Sequence, residues 1–380
     1  MVLKSFTSYC FILLFIIASG CQQSSTKKTD IAEGNDVLIS YADGFGINHL
    51  PDYTTVTIYN PWKPGEIYDR YYLVKDQQTV VPTDGQKVHI PLKSLMVNSA
   101  THLGFLELLG EIDKVNGVSG SNYIYNPTVR AKVADGSIPD LGDSFNMDME
   151  RLLILSPQAI MTSAYNAEDE NSKRLKQTGL TIIYNIEWQE KKLLGRAEWI
   201  KFIGAFFDKN ELADSIFNDV VVKYNAVKNR VKNVEDLPSV LSGQDFRGSW
   251  SMPGGQSFNA ELFRDAKASY FYANDLSTGS ISSTIEEALV HFSNADFWVG
   301  VQMNTLKELE LTDSKYKLFQ AFQEGNVYNT FQRTNPTGGN DYWESGVARP
   351  DLLLSDMIKI FHPDLMRDYE FTYMKRLTAE

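Results

Sequence analysis

Cys21 has the most defined chemistry of any residue in the sequence. A continuous apolar run ends in Ala18, Ser19 and Gly20, and Cys21 follows directly. This is the lipobox pattern, in which a peptidase cuts before the cysteine and the thiol accepts a diacylglyceryl group. The run is shorter than the ~20 residues that span a bilayer, so it predicts a cleaved export signal. We expect residues 1–21 to be a signal peptide with its lipobox and the mature protein to be lipid-anchored in the bacterial cell envelope, on the periplasmic side of the cytoplasmic membrane.

The other residue types that commonly do chemistry are sparse. Of the two cysteines, Cys10 lies in the expected signal, so the mature chain has no thiol for a disulfide, a metal site or a nucleophile. The five histidines are scattered, without an HExxH or HxH pair, and no serine stands in a GxSxG motif. The sequence therefore lacks the usual nucleophiles and metal ligands of catalysis.

Composition narrows the class of protein further. The formal net charge is −12, and no basic stripe is present that could neutralise phosphates, so nucleic acid is not expected as a partner. Hydrophobic residues make up 43% of the chain and charged residues 22%, which is typical of a globular protein with a real core. The length suggests two lobes or one large domain.

The secondary-structure elements that must position these residues alternate between strands and helices. Polar residues 22–35 predict a flexible tether. Residues 36–196 then carry short β-prone runs followed by alternating helix and strand patterns, which predict an N-terminal α/β lobe with a largely parallel sheet. Residues 197–234 keep helical periodicity, with a candidate break at 208–210, and predict a linking helix. Residues 235–380 repeat the alternation and predict a C-terminal α/β lobe.

Four segments carry a family resemblance through their order and spacing. They are residues 94–118, with a strand, a helix and a turn; 148–160, with a helix that leads through Ser-Pro into a strand; 285–298, its counterpart in the second lobe; and 349–363, a terminal helix that ends in His-Pro. In these features the chain resembles the substrate-binding lipoproteins of ABC importers for ferric siderophores, haem and cobalamin, the class III periplasmic binding proteins.

The resemblance implies an α/β fold of two lobes with mostly parallel sheets, joined by one long rigid α-helix. It implies that a stiff cleft between the lobes captures a metal chelate, such as a ferric siderophore, haem or cobalamin, and delivers it to an ABC transporter permease dimer. A preformed cleft loses little conformational entropy on binding. Since the metal arrives inside its chelator, we expect no metal site, no cofactor and no catalytic residue in the chain, which we expect to be a monomer and not an enzyme.

The Gly- and Pro-containing stretch over 248–258 is predicted to be a loop that contacts the ligand. Its tryptophan would offer a flat apolar face, and its paired glycines would let the backbone approach a ligand closely. The predicted contacts here are Trp250, Pro253, Gly254, Gly255 and Ser257.

Further contacts are expected from both lobes. Asn98, Ser99 and His102 lie at the first strand-to-helix turn, where doubly wound folds place ligands. An arginine can pair with a carboxylate or phosphate of a ligand, and aromatic side chains can line a cleft. The remaining predicted contacts are Trp188, Arg196, Tyr342 and Trp343, with Arg333 as a second candidate cation.

Glu150 and Glu286 occupy matching positions of two family segments. In the family, one exposed glutamate on each lobe meets arginines of the permease, so the resemblance implies that these two residues dock the protein. Negative charge is favourable at any helix N-terminus, so helix stabilisation alone is the alternative. Glu287 could replace Glu286 in this role.

Two other functions stay open at this stage. A lipid-anchored hydrolase of glycans would need two carboxyl groups ~5–10 Å apart across a cleft. A protein that binds bare metal ions would need at least three clustered His, Asp or Glu ligands.

Overall fold

The computed structural model of the protein describes residues 34–167 and 170–380. The expected signal peptide, Cys21 and residues 22–33 of the expected tether lie outside the described residues. Residues 34–380 form one compact unit. In the described part of the chain, no helix combines the length and apolarity that crossing a membrane requires.

The first strands of the chain form a sheet that precedes the two α/β lobes. Alternation in the segment Thr54–Tyr59 buries Val56 and Ile58 and leaves their neighbours partly exposed, which is typical of a strand with one covered face. The sheet follows chain order, and only its last two strands pair in parallel. The strands are β1 (Asn35–Asp36), β2 (Phe45–His49), β3 (Thr54–Tyr59), β4 (Ile67–Val74) and β5 (Gln86–His89).

Two carboxylates bind the backbone of residues 40–44. Glu198 accepts hydrogen bonds from the N–H groups of residues 40, 41 and 42, at 2.7–3.1 Å. Glu190 accepts those of residues 43 and 44, and the indole Nε1–H of Trp199 at 2.9 Å. The backbone N–H groups of residues 40–44 are thus satisfied by side chains instead of by a neighbouring strand.

The N-terminal lobe contains a four-stranded parallel sheet of order β11-β10-β6-β7. Its strands read as continuous apolar runs because helices cover both faces of such a sheet. In chain order the elements are β6 (Leu95–Val97), α1 (Thr101–Leu109), β7 (Val115–Val118), α2 (Pro127–Ala134), the hairpin β8 (Gly142–Asp143) and β9 (Asn146–Met147), α3 (Met149–Leu155), β10 (Ala159–Thr162), α4 (Glu170–Lys176), β11 (Thr181–Tyr184) and α5 (Leu193–Phe206). Short 3₁₀ turns lie at Ile112–Lys114, Ser121–Tyr123 and Glu187–Gln189.

The helical stretch predicted over 197–234 is divided into two helices. Every residue of α5 is buried, and the helix packs against α1 and β2 on one side of the protein and against helices of the C-terminal part of the chain. Asp208 adopts a left-handed conformation, with φ of 56°, and ends the helical run. The helix that leads from one lobe to the other is α6 (Asn210–Arg230), whose 21 residues extend about 30 Å.

The C-terminal lobe contains a four-stranded sheet of order β12-β16-β17-β18, in which β18 is antiparallel to β17. A second, antiparallel sheet consists of β13-β14-β15. In chain order the elements are β12 (Val240–Ser242), β13 (Asp245–Phe246), β14 (Ser249–Pro253), α7 (Phe258–Asp265), β15 (Ser280–Ser283), α8 (Ile285–Phe292), β16 (Phe297–Val301), α9 (Leu306–Thr312), α10 (Gln320–Gln323), β17 (Val327–Asn329), α11 (Asp341–Glu344), α12 (Pro350–Phe361) and β18 (Lys375–Arg376). Further 3₁₀ turns lie at Ser314–Leu318 and Pro363–Met366.

The lobes also touch away from α6. The backbone N–H of Tyr125 donates to the Glu344 carboxylate at 2.7 Å, and Asn335 Nδ2 donates to the Ile124 carbonyl at 2.8 Å. A Cβ at Gly104 of α1 would lie 2.3 Å from the Glu344 carbonyl oxygen, so only glycine permits this approach. These contacts fix the gap between the lobes from a second side.

Candidate functional site

A cleft of about 500 Å³ lies between the two lobes. The N-terminal lobe contributes residues 188–191, which follow β11, and the C-terminal lobe contributes residues at the ends of β12 and β16. The cleft therefore lies beyond the carboxyl ends of parallel strands, where open α/β sheets bind ligands. Of the residues predicted to contact a ligand, this cleft brings together Trp188, Pro253, Ser257, Tyr342 and Trp343.

Aromatic side chains from both lobes line the cleft. Trp188 is half-buried, and its indole N–H donates to the Ala164 carbonyl at 3.2 Å, which fixes the ring. On α11, Trp343 is 48% exposed and packs edge-on against the buried ring of Tyr342, at a centroid distance of 4.8 Å. Burial raises the pKa of Tyr342 to about 12. The cleft thus offers apolar ring surface together with a neutral phenol.

The prediction that Trp250 faces the cleft is wrong. Residues 249–253 form a strand and not a loop, so successive side chains point to opposite faces. Trp250 is fully buried, stacks on Trp298 at 5.6 Å, and donates its indole N–H to the Ser242 carbonyl at 2.8 Å. Its neighbour Ser251 points the other way and lines the cleft.

The predicted role of Gly254 and Gly255 also needs correction. A Cβ at Gly254 would lie 2.5 Å from the carbonyl oxygen of Ser277, and one at Gly255 would lie 2.4 Å from that of Tyr272. Both glycines are therefore required by close packing against the protein's own backbone. They do not belong to the cleft lining.

Asn98, Ser99 and His102 lie at the carboxyl end of β6 but outside the cleft lining. Asn98 Nδ2 donates to the Ser144 carbonyl at 3.2 Å and to a threonine hydroxyl at 2.9 Å, and Ser99 Oγ lies 3.0 Å from the hydroxyl of Thr101. His102 is fully buried, and burial lowers its pKa to about 3. The expectation that these three residues face the ligand cleft is not met: Asn98 holds the connection at Ser144 and the end of β10, Ser99 contacts Thr101, and His102 is enclosed in the core.

Arg196 is buried beneath the cleft. Its guanidinium lies 3.7 Å from the Glu187 carboxylate and 4.3 Å from the ring centre of Phe258, a residue of the cleft lining. Burial raises the pKa of Glu187 and lowers that of Arg196. Arg196 therefore reaches the cleft only through Phe258, which it supports. Arg333 instead pairs with Asp341, at 3.1 Å.

Glu150 and Glu286 are both exposed in the first turns of their helices, α3 and α8. Glu286 also accepts a hydrogen bond from Lys315 at 2.7 Å, and that bond lowers the pKa of its carboxyl. The side chain of Glu287 completes a capping box with Thr284, so it is engaged in starting α8. Glu286 is thus the better candidate for an external partner.

Sequence reasoning missed an aromatic row that continues from the cleft, formed by Phe145, Tyr165 and Trp188. Neighbouring ring centres lie 5.1 Å apart between Phe145 and Tyr165, and 5.7 Å apart between Tyr165 and Trp188. The three residues come from separate connections of the N-terminal lobe. No local pattern marks them, because only the parallel order of β10 and β11 and the β8–β9 hairpin bring them together.

Among residues 34–167 and 170–380, no three His, Cys, Asp or Glu side chains stand together in a way that could hold a metal ion. The carboxylate among the described cleft residues is Glu190. Its oxygens already accept hydrogen bonds from two backbone N–H groups and from Trp199.

The chain is similar to an uncharacterized lipoprotein of Methanocaldococcus jannaschii, with 25% identity over 97% of this chain and 95% of that protein. Solved structures share the fold. An ABC transporter substrate-binding protein from Listeria monocytogenes has a TM-score of 0.54 at 17% identity, with 72% of this chain and 99% of that chain covered. A periplasmic heme-binding protein from Roseiflexus sp. RS-1, in apo form, has a TM-score of 0.57 at 14% identity, with 72% and 99% covered.

These neighbours confirm the predicted fold class, which is an α/β protein of two lobes with mostly parallel sheets. The model of the family described as periplasmic binding protein matches residues 97–334, which include strands of both lobes, helix α6 and most of the cleft. The chain therefore belongs to the periplasmic binding protein family, the solute-binding components that work with ABC permeases.

Proposed function

We propose that the protein captures a metal chelate, such as a ferric siderophore, haem or cobalamin, in the cleft between its lobes and delivers it to an ABC permease. The observation that carries the proposal is the cleft itself, which Trp188 lines from one lobe and Trp343 from the other. Its volume of about 500 Å³ lies within the range of small-molecule sites. We also propose that Cys21 holds the protein to the membrane through lipid, which mass spectrometry of the purified protein tests.

The lining favours a chelate over a bare ion. Besides aromatic rings it presents hydroxyl groups, among them those of Ser251, Ser280 and Thr278. Such groups can hydrogen-bond to the donor atoms of a chelator. They supply few of the anionic ligands that a free transition-metal ion needs. The metal is therefore expected to enter already coordinated.

The same lining argues against a glycan hydrolase. That chemistry needs a pair of carboxyl groups across the cleft. Glu190 is engaged in holding the backbone of residues 43 and 44, so it is poorly placed to move a proton on a substrate. We propose that the protein is a binding protein without an enzymatic activity of its own.

Titration of the full-length protein with haem, cyanocobalamin and ferric desferrioxamine tests the proposal through tryptophan fluorescence. We expect saturable quenching by at least one of them, since two of the six tryptophans line the cleft. Trp343→Ala should weaken that binding about tenfold, because loss of an aromatic contact costs about 1 kcal/mol or more. Trp62→Ala is the matched control, since Trp62 packs on Tyr68 away from the cleft. Absence of any response to the three chelates would refute the proposal.

We further propose that Glu150 and Glu286 dock one molecule of the protein on the two subunits of the permease dimer. Two exposed carboxylates on different lobes would fix orientation as well as register on a basic surface. Because they lie outside the cleft lining, chelate binding does not depend on them.

The double variant Glu150→Ala/Glu286→Ala should keep wild-type affinity for the chelate but reduce its uptake by cells at least tenfold. Uptake of the ⁵⁵Fe- or ⁵⁷Co-labelled chelate by a strain that carries the variant provides the measurement. The matched control is Glu211→Ala, which removes an exposed first-turn glutamate from α6. Normal uptake by the double variant would rule out this docking.

A further inference from the structure

The aromatic row, formed by Phe145, Tyr165 and Trp188, leads from the cleft onto the surface of the N-terminal lobe. Trp188 lines the cleft, while Tyr165 is 49% exposed and Phe145 is 60% exposed. The planes of neighbouring rings are inclined by 42° and 32°, so each ring is in tilted contact with the next. By contrast, large aromatic side chains in the core of the same lobe, such as Trp199, are fully buried.

The hairpin that carries Phe145 is fixed to the sheet beneath it. Asn98 Nδ2 donates to the Ser144 carbonyl at 3.2 Å, directly beside Phe145. The Gly120 N–H donates to the Gly142 carbonyl at 2.8 Å, which ties the start of the hairpin to the connection after β7. Phe145 is therefore presented on an anchored backbone, and Asn98 acts as a positioning residue.

The hydrogen bonds of the hairpin turn do not involve the Phe145 ring. Asp143 Oδ1 accepts the backbone N–H groups of Phe145 at 2.8 Å and Asn146 at 3.2 Å, so the turn forms without help from the aromatic side chain. A residue that served only the turn could be polar at this position. An exposed phenylalanine next to a second exposed ring and a cleft tryptophan instead matches the usual build of a ligand surface, in which apolar rings carry the contact area.

We propose that the aromatic row binds a flat aryl or conjugated group of the ligand while the cleft holds the remainder; this rests on the proposed function. Rings attract other rings beyond the gain from area alone, through offset or edge contacts at centroid distances of 4.5–7 Å. The row lies beside the carboxylate of Asp143, which disfavours an anionic group there. The ligand class is therefore a chelate that presents an uncharged planar ring system to the row, and an aliphatic hydroxamate is disfavoured.

The test compares haem and a ferric chelate with aryl groups against ferric desferrioxamine, whose backbone is aliphatic. Affinities are measured by fluorescence titration of the full-length protein. We expect tighter binding of one of the two conjugated chelates than of ferric desferrioxamine. Phe145→Ala and Tyr165→Ala should each weaken that binding about tenfold while changing binding of ferric desferrioxamine by less than about twofold. Phe145→Leu, which keeps apolar area but removes the ring, should still show part of the loss.

Phe271→Ala is the matched control. Phe271 is 55% exposed and stacks on His291 at 4.1 Å in the C-terminal lobe, away from the cleft lining. Conjugated chelates that bind equally well to wild type and to the Phe145 and Tyr165 variants would overturn the inference and leave the proposed function standing. Preference of the wild type for ferric desferrioxamine would also overturn it. Failure of these probes and of cyanocobalamin to bind the wild type would refute both.

Discussion

Replacing Asp356 with alanine is expected to lower the free energy of unfolding by about 4 kcal/mol or more. The carboxylate is fully buried in α12 and accepts four hydrogen bonds, from Tyr369 Oη at 2.6 Å and from the N–H groups of Thr372, Tyr373 and Met374 at 2.7–2.9 Å. Each buried donor left without an acceptor costs about 1–3 kcal/mol. Urea unfolding of the purified protein measures the change.

The same substitution should also weaken chelate binding. The segment that Asp356 holds includes Met374, which lines the cleft, and Tyr373, whose hydroxyl lies 2.9 Å from Ser345 Oγ next to α11. Asp364→Ala is the control, because the Asp364 side chain is 87% exposed and pairs only with Arg367. The free energy of unfolding of the Asp364→Ala variant should stay within about 0.5 kcal/mol of the wild-type value. Similar losses of stability in the two variants would show that the buried carboxylate of Asp356 does not stabilise the fold.

The free energy of unfolding should fall as the pH rises from about 5 to about 8, because of Glu344. This side chain is 1% exposed, and burial raises the pKa of its carboxyl from 4.5 to about 8, against the lowering effect of the Tyr125 N–H bond. In the unfolded chain the carboxyl ionises near pH 4.5, while in the folded protein it keeps its proton until about pH 8. Folding therefore binds a proton in this window. The contribution of Glu344 to the free energy of unfolding is fully present below the pKa of the unfolded chain. It decreases by about 1.4 kcal/mol per pH unit until the pKa of the folded protein is passed.

Glu344→Gln should make the stability fall less steeply with pH than in the wild type, since the amide oxygen can still accept the Tyr125 N–H but no proton is exchanged. Urea unfolding at pH 5, 6, 7 and 8 gives the slope for each variant. Glu211→Gln, at an exposed position of α6, should reproduce the wild-type slope. A Glu344→Gln protein whose stability still fell steeply over this range would place the titrating group elsewhere.

The central strands could be predicted from the sequence because they are buried on both faces. Residues 159–161, 182–184 and 297–299 are continuous apolar runs, and the structure has β10, β11 and β16 there. Strand β14 was misread because its exposed face carries serine and its ends carry glycine and proline, so its composition is that of a loop. The alternation Ser249-Trp250-Ser251-Met252 was the signal, since every second residue is buried.

The cleft could be predicted only in part. Trp188, Tyr342 and Trp343 stood out as aromatic residues beside loops, and all three line the cleft; their contact with a ligand stays a prediction. Arg196 could not be placed, because whether a cation faces solvent or Phe258 depends on how α5 packs. The contact between Tyr125 and Glu344 joins residues 219 positions apart, and no local pattern encodes it.

The hydrogen bonds from the backbone of residues 40–44 to Glu190 and Glu198 have a mechanical consequence. Tension entering the folded body at residue 34 meets first the two-residue strand β1 and then five successive backbone N–H groups that are held by carboxylates. Strand β1 passes part of the load to its partner β2, and Glu190, which holds residues 43 and 44, is also part of the cleft lining. A force applied at residue 34 is therefore expected to be felt at the wall of the cleft, at the position of Glu190.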